Sequence, residues 1–91
     1  MLILSIRERP ELKPKPSPEG FLEALRILDA SAEKSIVLED SNPGIAAAKA
    51  AGCFAIGFRG YLIPGYEQQG ADAYADTMDD VVKIVEQFTQ R

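Results

Sequence analysis

The 91 residues bound this chain to one small domain, and 46% hydrophobic with 26% charged residues is ordinary for a folded protein. A net charge of −4, with both signs scattered along the chain, excludes the basic face that nucleic-acid binding needs. With no histidine and one cysteine, Cys53, an intrachain disulfide, a Ser-His or Cys-His nucleophile and a His-containing zinc site are all excluded. Any chemistry falls to carboxylates, lysines, hydroxyls or a hard metal ion.

The N-terminal "MLILSIRERP" has too short an apolar stretch for a signal peptide, and its charges follow that stretch. No run reaches membrane-spanning length, so a cytoplasmic protein without a membrane partner is expected. Residues 2–6, "LILSI", read as a short strand. Residues 7–17 are polar and broken by prolines, which excludes a helix. Ser17-Pro18 then opens a helix over 18–29, serine as cap and proline at the first helical position, with Phe21, Leu25 and Leu28 at helical spacing. "DASAEK" is a turn. Residues 35–38 form a continuous apolar run, the kind buried on both faces of a parallel sheet.

Asn42-Pro43 starts the next helix by the same logic, and Gly52 ends it. Its alanines let the backbone lie close to a sheet. Residues 53–58, "CFAIGF", are a second buried strand, in which Cys53 is a packing residue. A glycine-containing loop over 59–71 reads as a surface connection, and a brief extended piece follows near 72–75. Thr77 and Asp80 make a capping-box start for a last helix, 78–89, with an apolar stripe of Val81, Ile84, Val85 and Phe88. This alternation predicts an α/β fold with a parallel sheet flanked by helices, in which ligands sit at the carboxyl ends of the strands.

Glu39 and Asp40 stand at that end of the central strand. Two readings compete for them. They complement the positive end of the helix that follows, or they bind a hard divalent cation such as magnesium, which also relieves their mutual repulsion. Lys13 and Lys15 lie in "LKPKPSPEGF". They are solvated loop charges, or one of them is held by its Pro-x-Pro setting so that it reaches the same strand-end face.

Taken together, "KPSPEGFLEAL" and "IVLEDSNPGIAAAKAAG" resemble the C-terminal half of the haloacid dehalogenase superfamily. The likeness is to the small-molecule phosphatases that include phosphoglycolate phosphatases and β-phosphoglucomutases. The family's Lys-Pro-x-Pro-acid motif is matched by Lys15-Pro16-Ser17-Pro18-Glu19, and its apolar strand ending in Glu-Asp-Ser by residues 36–41. The resemblance implies that Asp40 is a magnesium ligand, with Glu39 beside it as ligand or outer-shell partner. It implies that Lys15 bridges a nucleophilic aspartate and the substrate phosphoryl group, and that Ser41 supports the loop. Lys13 is the out-of-register alternative. The implied reaction is magnesium-assisted attack by an aspartate on a phosphomonoester of a small metabolite, through an aspartyl-phosphate that water hydrolyses.

The departure from the pattern is large. The family's nucleophile lies in an Asp-x-Asp-Gly-Thr-like motif after the first strand, and Asp-x-Asp occurs nowhere in these 91 residues. The expectation is therefore a single partial, Rossmann-like core over 1–91, without the nucleophile strand or the cap domain, and inactive alone. A non-catalytic module that binds magnesium or phosphate, or pairs with a subunit, is the alternative. In the family's sheet, two strands absent here separate the strand matching 2–6 from that matching 35–38. Either those two close up, or a second copy or a complementing N-terminal segment fills the gap, since unpaired buried backbone is costly.

Overall fold

The computed structural model describes residues 12–60, 62 and 64–90, and the backbone of residues 2–4. The elements in chain order are β1 (Leu2–Leu4), α1 (Glu19–Leu28), a 3-10 turn (Ala32–Lys34), β2 (Ile36–Glu39), α2 (Asn42–Ala50), β3 (Phe54–Phe58), β4 (Ala73–Ala75) and α3 (Met78–Thr89). The strands form one parallel sheet in the order β1-β2-β3-β4. Of the strand expected over 2–6, residues 5 and 6 lie outside the described residues, as does the first part of the polar connection, 7–11. Leu2 pairs with Ile36 and Leu4 with Leu38. Of the two ways to close the sheet, the first two strands pair directly.

The central strands alternate their side chains between two helical layers, as extended chains must. On one face Val37, Cys53 and Ala55 pack against Phe21 and Leu25 of α1 and Ile45, Ala47 and Ala48 of α2. Ala47, Ala48 and Ala55 are completely buried, so the small side chains do bring α2 close to the sheet. On the other face Ile36, Ile56 and Ala75 pack against Val81, with Leu38, Phe54, Phe58, Ile84, Val85 and Phe88 around them. The stripe expected for the last helix is thus the stripe that faces the sheet. Cys53 is part of the first cluster, and burial pushes its thiol pKa up, which keeps it protonated and inert.

The helix ends follow local chemistry. The start of α1 differs by one position from the sequence expectation: Pro18, not Ser17, is its cap and Glu19 its first helical residue, while the Ser17 hydroxyl accepts the Glu19 N–H at 3.3 Å from one residue further out. The start of α2 differs by one position: Ser41, not Asn42, is its cap, and its hydroxyl accepts the Gly44 N–H at 3.1 Å. Asn42 lies inside the helix because its side chain is drawn to the loop that follows β3. At the other end of α2, Gly52 has φ 89°, and the Gly52 and Cys53 N–H groups bond the Lys49 and Ala48 carbonyls. That paired closure requires a left-handed residue, hence the glycine. The α1 terminus uses the same closure, through the Asp29 and Ala30 N–H groups, with Asp29 at φ 52°. In α3 the Thr77 hydroxyl accepts the Asp80 N–H, while the Asp80 carboxylate accepts the N–H groups of Asp76 and Thr77. Those donors hold the Asp80 carboxyl below its ordinary 3.8.

Two stability predictions follow from these ends. Asp29 is exposed and left-handed, so Asp29→Gly should raise stability by about 0.5–1 kcal/mol, read as a higher urea midpoint with an unchanged slope. Asp80 has a depressed pKa, so its stabilisation is complete above the unfolded-state value and fades as pH falls through the folded one. Asp80→Asn should therefore be less stable than the parent at pH 7, and the deficit should close on acidification below the ordinary carboxylate range. Urea titrations across that range check this.

Candidate functional site

Glu39, the last residue of β2, follows Val37 by two positions and so faces the same layer as α1 and α2. Its carboxylate is thereby carried under the first turn of α2, and only 2% of the residue is exposed. Lys15 comes to it from a tight turn before α1, closed by the Ser17 N–H on the Pro14 carbonyl at 3.0 Å. Glu19, the acid of the Lys-Pro-x-Pro-acid motif, accepts the Lys13 N–H at 2.8 Å and folds the segment back on the helix. The Lys15–Pro16 peptide is cis. Lys15 Nζ donates to Glu39 Oε2 at 2.5 Å and lies 5.4 Å from the centre of the Phe21 ring. With side-chain exposures of 18% and 2%, this ion pair is largely out of water. Losing one partner of such a pair strands the other charge, at a cost on the order of 3–5 kcal/mol.

Ser41 joins the strand end to the helix. Its hydroxyl donates to Glu39 Oε1 at 3.4 Å and accepts the Gly44 N–H. Gly44 is there because nothing larger fits: a Cβ at this position would stand 2.2 Å from the Glu39 carboxyl carbon. Asp40 is placed differently. It is exposed just beyond the strand, and among the described residues its carboxylate has no hydrogen-bond or ion-pair partner.

The backbone of Asp40 is held from the loop after β3. Gln68 Nε2 donates to the Asp40 carbonyl at 2.9 Å and to the Phe58 carbonyl at 2.8 Å, tying the ends of β2 and β3 together. Asn42 clamps the same loop, donating to the Glu67 carbonyl and accepting the Gln69 N–H, while its own N–H donates to the Tyr66 hydroxyl at 2.8 Å. Gln68 Oε1 is buried without a hydrogen-bond partner among the described residues, above Gly57, where a Cβ would come within 2.6 Å of it. The sequence predicts a surface connection here. Its residues are largely exposed, but it also braces the acidic strand end. Amide side chains flanked by glycines are the available signal, and the partners of Gln68 lie 10 and 28 residues away.

Of the residues singled out in the sequence, Lys15 and Ser41 each contact the Glu39 carboxylate, with Asp40 next in the chain. Lys13 engages through its backbone N–H and its side chain is exposed. Among the described residues there is no group of three or more Asp, Glu, Cys or His side chains placed to hold a metal ion. Nor is any helix among them long and apolar enough to cross a membrane.

A model of haloacid dehalogenase-like hydrolases matches residues 5–58, more than half of the chain. A β-phosphoglucomutase of Bacillus subtilis is 47% identical over 69 residues, which are 76% of this chain and 29% of that protein. Protein CbbY of Cereibacter sphaeroides is 40% identical over 67 residues, 74% of this chain and again 29% of that protein. The crystal structure of CbbY from Rhodobacter sphaeroides in complex with phosphate superposes with a TM-score of 0.68 at 39% identity, covering 76% of this chain and 31% of that one. The chain therefore spans about three-tenths of the length of the relatives it matches. The fold, the matched motifs and these likenesses agree: the chain belongs to the haloacid dehalogenase-like hydrolases.

Proposed function

We propose that these residues are the lysine-and-acid part of a phosphotransfer site, the C-terminal half of a haloacid dehalogenase-type core. The observation that carries the reading is the convergence of Lys15, Glu39, Ser41 and Asp40 at the carboxyl edge of the sheet, from segments 24 residues apart in sequence. In this reading the substrate is a phosphomonoester of a small metabolite. A sugar phosphate fits best: one relative is a β-phosphoglucomutase, and CbbY has been crystallised with phosphate and with xylulose-(1,5)bisphosphate.

The attacking group is an aspartate carboxylate. It displaces the ester oxygen from phosphorus, forming a P–O bond to the aspartate as the bond to the leaving group breaks. The leaving alkoxide takes up a proton, and water then hydrolyses the acyl-phosphate. No such aspartate motif is present in the 91 residues, so the nucleophile comes from outside them. Lys15 supplies a fixed positive charge for the phosphoryl oxygens, whose negative charge is the main thing a site must stabilise. Ser41 and Gly44 keep the strand-to-helix turn tight enough to hold that charge in place. Magnesium is the cofactor the family reading implies. Its further oxygen ligands would come from outside the described residues, which hold no group of three or more such side chains.

The 91-residue chain, assayed with p-nitrophenyl phosphate and magnesium, should show no turnover above background. A lysine and a carboxylate do not replace a nucleophile. Turnover that survives repurification and disappears in Asp40→Asn would overturn this prediction.

A further inference from the structure

We propose that Gln68 is a positioning residue for the site: seated on Gly57, it fixes the peptide that carries Asp40 and so sets where that carboxylate stands. The inference rests on the reading of Asp40 given above, and it adds a residue that no motif marks. The last paired residues of β2 and β3 are Glu39 and Gly57. One residue further, β2 runs into the cap of α2, while Phe58 of β3 stays paired with Ala75 of β4. Asp40 therefore lies beyond the pairing, where the two strands part. The Gln68 amide spans that gap with its two N–H groups, one on the Asp40 carbonyl at 2.9 Å and one on the Phe58 carbonyl at 2.8 Å. Few side chains of this length can do so: a carboxylate donates nothing, and a hydroxyl has a single proton.

Two locally unfavourable choices serve this one contact. Gly57 is buried in an inner strand, where a glycine packs nothing and weakens the strand. A Cβ there would come within 2.6 Å of Gln68 Oε1 and 2.9 Å of the Tyr74 ring. Gln68 Oε1 in turn is a buried acceptor with no hydrogen-bond partner among the described residues, which is also a cost. Departures of this kind from local consistency mark functional positions. The amide does not act mainly on its own loop, because Asn42 already clamps that loop through Tyr66, Glu67 and Gln69. What Gln68 adds is the hold on the Asp40 carbonyl.

The test is nitrogen-relaxation NMR on the labelled 91-residue chain and on Gln68→Met, which keeps the side-chain length and removes both donors. The Ser41 N–H shares a rigid peptide with the Asp40 carbonyl, so its order parameter reports the hold. It should be about 0.85 in the parent and lower by about 0.1 or more in Gln68→Met. The Arg59 N–H shares a peptide with the Phe58 carbonyl but also donates to the Ala75 carbonyl at 2.7 Å, so it should stay rigid. The urea midpoint of Gln68→Met should stay within about 0.5 M of the parent, since the lost hydrogen bonds are offset by removal of the orphaned acceptor. Gly57→Ala should also loosen Ser41, by pushing the amide off its seat, and should add nothing in the Gln68→Met background. Gln69→Met, the exposed neighbour, should leave Ser41 unchanged. A Ser41 N–H that is already mobile in the parent, or unchanged in Gln68→Met, overturns the proposal. So does a loss of order spread over Ser41, Arg59 and the loop together with a lower urea midpoint, which marks a merely structural residue. None of these signals needs a cation. An Asp40 carboxyl signal that ignores magnesium chloride counts against the phosphotransfer reading, and the order parameters still decide the brace.

Discussion

The constraint on which this fold turns is the burial of β2 on both faces while it ends in a carboxylate. Ile36 and Val37 are almost wholly covered, one by each helical layer, and the strand carries Glu39 into the same dry space. A buried carboxylate without a partner would cost more than such a small core can offset. Lys15 is the answer, and it determines much else. The turn before α1 must bring the ammonium to that point, Phe21 must lie beneath it, and Gly44 must leave room for the carboxyl group.

The same constraint explains the cap of α2. The Ser41 hydroxyl that starts α2 also completes the hydrogen bonding of Glu39, so the helix start and the ion pair are one structure. The loop after β3 then fixes the far side. Gln68 spans the carbonyls at the ends of β2 and β3, and Asn42 holds the loop that delivers it. Asp40 is consequently an exposed carboxylate on a backbone that Gln68 holds in place.

Periodicity and end signals made most of the fold legible in the sequence. The apolar runs of β2 and β3, the stripe of α3, and the Thr77–Asp80 box each depend on neighbours within one element, where spacing is sufficient. The choice between Ser41 and Asn42 as cap was not legible from the segment itself. Both are good caps, and the decision was made by loop atoms 25 and 27 residues away that recruit the Asn42 side chain. Gln68 was hidden for the same reason. Lys15 could be separated from Lys13 only by motif register. In space the distinction comes from Glu19, which takes the Lys13 backbone and leaves Lys15 at the tip of the turn.

The adjacency that made Glu39-Asp40 conspicuous is also what a linear reading handles least well. Successive residues of an extended chain point to opposite sides, so acids adjacent in sequence diverge in space. Two carboxylates would best share a small cation if they came from positions with the same facing, or from different strands. Here the strand geometry sends one acid inward, where a lysine neutralises it, and leaves the other outside with its charge intact. The repulsion that this adjacency poses is therefore relieved by the Lys15–Glu39 pair. A cation at this edge would meet one carboxylate, beside the Lys15 ammonium that Glu39 holds in place. In the proposed site, the rest of any metal's coordination would then fall to groups beyond the described residues.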